Sequence, residues 1–117
     1  MVRVLLMICV LAAASSANAM TPVKDESTFR DLVGGKTLVL RLYTIKLNVL
    51  GNGTIEGSAL TRKVTGSWSW IDGFFCREMK WGTREIPYNC QLVEYDGTEV
   101  RFTTDKGAGD SADFVLR

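Results

Sequence analysis

The chain has 117 residues, with Lys plus Arg at 14 against Asp plus Glu at 13. Its first nineteen residues do not read as folded domain, and the roughly 98 that remain suffice for one modest core. Removing Arg3 with that segment balances the charges, so no net field attracts polyanions; nucleic acid and anionic membrane are disfavoured partners. Histidine is absent, which excludes every mechanism that uses imidazole as base, acid or metal ligand.

Residues 1–19 have the three parts of a secretory signal: Arg3, an apolar run from Val4 to Ala14, and small residues ending in Ala17-Asn18-Ala19. Cleavage is predicted after Ala19. The run is well short of the roughly 18 to 20 apolar residues of a membrane span. Cys9 follows Leu6, Met7 and Ile8, where a lipoprotein signal needs small residues, so it is expected to leave with the leader. The expected destination is the periplasm or the exterior, with no stable membrane insertion after cleavage.

Loss of Cys9 leaves Cys76 and Cys90 in an oxidising compartment, where a disulfide is the expected state. The spacing is not Cys-x-x-Cys and no further soft ligand exists, so neither a redox pair nor a metal site is expected.

Residues 20–36 read as a tail and a short helix. Ser27 to Val33 places Phe29, Leu32 and Val33 on one side, with Asp25 and Glu26 at its start and Gly34-Gly35 at its end. From Thr37 to the C-terminus at 117 the period changes to 2. Leu38, Leu40 and Leu42 alternate with Val39 and Arg41, Ile45, Leu47 and Val49 with Lys46 and Asn48, and Val64, Trp68 and Trp70 with Thr65, Ser67 and Ser69. Asn52-Gly53, Asp72-Gly73 and Asp96-Gly97 each separate two such runs and predict hairpins, because these pairs tolerate positive φ. About eight short strands result, with no room for crossover helices, so the sheet is antiparallel. The expected fold is all-β with a short N-terminal helix: an antiparallel meander forming a small barrel, open or closed, with the helix able to plug one end. A turn at Gly82-Thr83-Arg84 would set Cys76 opposite Cys90. Pro87 argues for the alternative, a longer loop from Gly82 to Pro87 with the disulfide at its base.

Few residues point to chemistry. Gly51-Asn52-Gly53-Thr54-Ile55-Glu56-Gly57 nearly matches the dinucleotide fingerprint, but its third glycine is one position late and a strand follows where a helix is needed. Asn52-Gly53-Thr54 also spells a glycosylation sequon. The stretch from Asp105 to Asp113 carries three carboxylates, Asp105, Asp110 and Asp113, among small residues that could hold calcium or an anion; its spacing fits no EF-hand and Lys106 would lower cation affinity, so it is read as a solvated loop or an interaction loop. Aromatics are the better hint. Trp68, Trp70, Trp81 and Tyr88 fall in a short span and either fill the core or line a ligand cavity, with Trp70 and Trp81 placed near strand ends where they would flank a mouth. Arg77, Lys80 and Arg84 interleave with them, while Glu78 and Glu85 cancel much of the charge.

Three stretches carry a resemblance: Val64-Thr65-Gly66-Ser67-Trp68-Ser69-Trp70-Ile71-Asp72-Gly73-Phe74-Phe75-Cys76-Arg77, then Trp81-Gly82 with Asn89-Cys90-Gln91, then Arg101-Phe102-Thr103-Thr104-Asp105-Lys106-Gly107-Ala108-Gly109. Over nearly the whole mature chain the sequence is similar to a family of small secreted proteins of alphaproteobacteria. Members often bear the name dihydrodipicolinate reductase, which belongs to a longer, two-domain, cytoplasmic, nicotinamide-dependent enzyme. The resemblance implies no established function and no catalytic residue.

The sequence therefore predicts a periplasmic or secreted, disulfide-stapled β domain that binds without catalysis, needing no cofactor or metal. Its expected partner is a small apolar ligand held among Trp68, Trp70, Trp81 and Tyr88. The alternatives are an interaction module of the cell envelope acting through Asp105, Asp110 and Asp113, such as a hydrolase inhibitor, and a reductase, the least favoured.

Overall fold

The structure, a computed structural model, describes residues 19–117; the predicted leader and Cys9 lie outside the described residues. A three-residue strand β1 (Thr21–Val23) and a helix α1 (Glu26–Val33) precede β2 (Leu38–Leu40), β3 (Ile45–Val49), β4 (Thr54–Ala59) and β5 (Arg62–Ile71). There follow β6 (Phe74–Trp81), β7 (Arg84–Tyr95), β8 (Glu99–Thr103) and β9 (Ser111–Leu116). From β2 to β9 each strand pairs antiparallel with the next, and β9 returns to β2 through Leu38↔Leu116 and Val39↔Val115. The meander therefore closes into an eight-stranded up-and-down barrel. Closure removes the exposed strand edges that an open sheet of this length would present to other chains.

The turns follow the glycine signals. Asp72-Gly73 forms a two-residue turn with both φ positive, at 51° and 84°, as the twist of a tight hairpin requires. At Gly53 the connection is one residue longer, and the glycine takes the left-handed position of a three-residue loop, whereas Gly97-Thr98 is a two-residue turn closed by the Asp96 N–H donating to the Glu99 carbonyl. Gly82-Thr83 makes a two-residue turn between the paired residues Trp81 and Arg84. The short turn is thus formed, and the longer loop to Pro87 is not. Pro87 is accommodated by a β-bulge: Arg77 pairs with Asn89 and Met79 with Ile86, so Pro87 and Tyr88 together oppose Glu78. The extra residue lets the proline occupy a central strand without breaking a ladder bond. On the outer face beside this bulge, Cys76 and Cys90 are direct cross-strand partners joined by a disulfide, with Cα atoms 3.9 Å apart.

One strand was not expected. Thr21–Val23 pairs with Tyr95, Glu94 and Val93, extending the edge of β7 beyond the point where β6 ends. Segment 20–36 is therefore built into the barrel, and the helix is its plug. Phe29 is fully buried and meets Trp68 edge-on at 5.4 Å, stacks on Trp70 at 5.0 Å and contacts Phe75 at 5.1 Å between centroids. The indole N–H groups of Trp68 and Trp70 donate to the carbonyls of Leu50 and Lys24, so the buried Trp68 ring and the half-buried Trp70 ring both have their polar atoms satisfied. Arg30 fastens the helix from outside, donating to the Gly51 carbonyl at 2.8 Å while its guanidinium lies 4.9 Å from the Trp68 ring centre.

Two inward glycines curve the wall. A Cβ on Gly57 would run into the Lys46 carbonyl of β3, and one on Gly66 into the Glu78 carbonyl of β6. Glycine at both positions lets neighbouring backbones approach closely at the bends a small barrel needs.

Phe29→Ala is expected to lower unfolding free energy by about 3–5 kcal/mol, since it removes a side chain packed among four aromatic rings, Trp68, Trp70, Phe75 and Phe102; urea unfolding measures it. Acid sensitivity follows from Asp96, whose Oδ1 accepts the backbone N–H groups of Glu99 and Thr98 at 2.9 and 3.1 Å in the β7–β8 turn. Those bonds, Glu99 first, hold its pKa below the ordinary 3.8. Its contribution is complete above the ordinary value and is lost as pH falls through the lower folded value. Asp96→Asn keeps the Oδ1 acceptor and removes the titration. Its unfolding midpoint is expected to change less with pH in strong acid than that of the wild type.

Candidate functional site in the barrel interior

Side-chain parity divides the interior into two halves. At the helix end, inward Trp68, Trp70, Phe75 and Phe102 close around Phe29 and leave a packed aromatic core. Toward the opposite end the inward positions are Gly57, Ala59, Val64, Gly66 and Met79, which are too small to meet across the barrel. This half is hollow.

Two cavities lie in the interior, the outer one within this half and the inner one reaching back to Phe75 and Phe102 of the aromatic core. The inner one, about 280 Å³, has an apolar wall from β2, β3 and β4, with Leu38, Leu47, Val49 and Ile55. Its opposite wall, from β6 to β9, carries Arg77, Gln91, Thr104 and Ser111. The outer cavity, about 400 Å³, is lined by Ile45, Ala59, Leu60, Trp81, Ile86 and others, all apolar apart from the Tyr43 hydroxyl. Leu47, Met79 and Phe114 line both, so the two adjoin along the barrel axis. Either volume is close to the lower part of the range for small-molecule pockets, roughly 300–1,000 Å³.

Arg77 is the unusual member. It pairs across the ladder with inward Trp68 and alternates with inward Phe75 and Met79, and only 8 % of it is exposed. One guanidinium N–H donates to the Pro87 carbonyl at 2.8 Å. The ion pairs among the described residues are Arg30–Glu26 and Arg101–Asp113; Arg77 has no such partner. Burial pulls its pKa below the ordinary 12.5, yet a guanidinium stays charged. An unpaired buried cation is costly unless something else compensates it.

The outer cavity opens between two connections, the turn of β4–β5 and the short 3₁₀ segment Leu42–Thr44 of β2–β3. Both carry left-handed backbone in residues that disfavour it: Tyr43 and Thr44 at φ 66° and 50°, Leu60 and Thr61 at 47° and 67°. The Leu60 N–H donates to the Tyr43 carbonyl, linking the two connections. Leu42, Tyr43 and Leu60 are about half or more exposed, making an apolar rim. Strain held in non-glycine residues at a cavity mouth is characteristic of sites shaped for binding.

The four aromatic candidates do not converge. Trp68 and Trp70 belong to the core at the helix end. Trp81 lines the outer cavity, its indole N–H donating to the Ala59 carbonyl at 2.8 Å. Trp70 lies beside the Asp72-Gly73 turn and Trp81 at the far end of β6, so the pair sits at opposite ends of the barrel and flanks no common mouth. Tyr88 is on the outer surface at the bulge, with its hydroxyl 3.3 Å from Cys90 Sγ. The interaction-loop carboxylates are likewise dispersed. Asp105 is tied to Asn89 by a reciprocal pair of hydrogen bonds, and Asp113 accepts two bonds from its cross-strand partner Arg101. Asp110 stands exposed at the rim of the inner cavity. Among the described residues no cluster of acidic or cysteine side chains is arranged for a metal. The Gly51-Asn52-Gly53 stretch is the β3–β4 turn, leading into a strand. Arg77 and Gln91 were not singled out as interior residues by sequence, although the parity of Phe75, Arg77, Met79 and Trp81 carries that information.

No protein-family model, curated protein or solved structure matches this chain.

Replacing Leu60-Thr61 by Asn-Gly should relieve the left-handed strain and raise stability by about 1–2 kcal/mol, read as an increased urea midpoint. An unchanged or lower midpoint would show that the turn is not strained.

Proposed function

We propose that the protein is a secreted or periplasmic binding barrel that carries a small, largely apolar molecule in the hollow half of its interior. The observation that carries this reading is the pair of cavities that adjoin at Met79, one lined on one wall and the other nearly throughout by apolar side chains, and reached past an exposed apolar rim. Burying an apolar ligand there removes both its surface and the cavity lining from water, at about 25 cal/mol per Å². The outer face carries a groove of about 600 Å³ beside the bulge, but Thr65, Ser67, Glu78, Lys80 and Glu85 line it, and charged and hydroxyl groups of this kind do not suit an apolar molecule. Export is supported by the leader pattern and by the Cys76–Cys90 disulfide, a bond that persists in oxidising compartments. The envelope-interaction reading has less support, because Asp105 and Asp113 are already engaged within the chain.

Titration of the disulfide-bonded protein with the neutral fluorophore N-phenyl-1-naphthylamine is expected to show saturable uptake. Ala59→Trp places a large ring in the outer cavity and is expected to weaken that uptake at least about tenfold, with an overpacking cost of roughly 1–3 kcal/mol in stability. Absence of saturable uptake by the wild type would refute the carrier reading.

A further inference from the structure

We infer that Arg77 is the head-group site of the cavity, and that the ligand is an amphipathic anion: a carboxylate or similar monoanion on an apolar chain. The inference rests on the carrier reading and specifies its ligand class. A molecule with no polar group would leave the guanidinium buried beside hydrocarbon. A cation would be repelled by it. An anion seated against Arg77 compensates the buried charge and accepts charge-assisted hydrogen bonds from N–H groups that Pro87 does not use.

The surroundings agree with this assignment. Gln91, also only 8 % exposed, lines the same wall and brings an amide able to donate. Ser111 Oγ is already shared with Thr103 Oγ1 at 2.7 Å, which leaves Arg77 and Gln91 as the principal donors. Asp110 at the rim disfavours an anion near itself, so the head group is held at the β6–β7 wall. From there the interior runs past Met79 and Phe114 into the outer cavity, whose lining suits a chain of methylenes and whose far side is Trp81 and Leu60. Head and tail thus have separate, contiguous compartments.

A rival role exists for the same side chain. Through its bond to the Pro87 carbonyl, Arg77 also braces the bulge of β7. That role predicts loss of stability on substitution, with no discrimination among ligands by charge.

The test compares decanoate, decanol and decylammonium as competitors of N-phenyl-1-naphthylamine on the disulfide-bonded protein at neutral pH. Decanoate is expected to bind roughly 10- to 100-fold more tightly than decanol, the range for hydrogen bonds to a charged group, with decylammonium weakest. Arg77→Met is expected to abolish the preference for decanoate over decanol. Equal affinity of the wild type for decanoate and decanol overturns the inference and leaves the carrier reading standing. Uniform weakening of all three in Arg77→Met, with the wild type showing no charge preference, assigns the residue to the bulge alone. If the variant does not fold, the wild-type ranking decides. Failure of every probe to bind the wild type overturns both readings.

Discussion

Phe29 is the contact on which the interior of this barrel depends. Eight strands enclose more space than backbone alone can fill, and the chain fills one half of it by inserting a helix whose single large side chain meets Trp68, Trp70 and Phe75. The arrangement concentrates aromatic burial at one end and anchors the segment that precedes the barrel. It also settles where a ligand can go. With Phe29 packed against Trp68 and Trp70 and those indoles hydrogen-bonded to Leu50 and Lys24, the remaining interior space runs from the Arg77 wall past Met79 to the outer cavity.

The emptiness of that half arises from sequence. Gly57 and Gly66 face inward at points where a Cβ would strike the neighbouring strand, so close backbone approach and absence of side-chain volume come from the same residues. Ala59 and Val64 continue the small positions toward the mouth. A packed core would place leucine or phenylalanine at such sites, because an unfilled apolar cavity forfeits dispersion contacts and costs about 1 kcal/mol for each missing methyl-sized volume. The glycines are imposed by curvature, but the aliphatic rim and the left-handed turns at Tyr43-Thr44 and Leu60-Thr61 are not. Curvature does not account for them, and they favour the proposed binding interior over incomplete packing.

Much of this architecture was legible in the sequence. Period-2 alternation gave the strands, and a glycine after Asn or Asp gave three turns, since both signals report local backbone and side-chain geometry. Three features escaped for definable reasons. Thr21–Val23 is too short to show alternation, and its pairing with β7 is set by tertiary closure. Leu60-Thr61 adopts a tight turn without any residue that favours positive φ, so no local signal marks it. The placement of the tryptophans required following chain direction through the Asp72-Gly73 turn, which sends Trp70 and Trp81 to opposite ends although they lie on adjacent strands. The leader predicted from residues 1–19 falls almost wholly outside the described residues.

Arg77 shows how one charge can be hidden in a pattern that is otherwise easily read. Among alternating charged and apolar residues of β6 it looks like one more surface cation beside Lys80 and Arg84. Parity puts it instead with Phe75 and Met79, while its neighbour Cys76 faces outward to Cys90. The disulfide and the guanidinium therefore act on the same pair of strands from opposite faces: the covalent bond fixes the register of β6 against β7, and Arg77 holds the bulge through the Pro87 carbonyl. A buried charge needs a rigid frame, because its compensation by hydrogen bonds depends on geometry. The staple lies one residue from Arg77 on β6 and one residue from Gln91 on β7, beside the polar wall of the cavity, where a shift in strand register would do most harm.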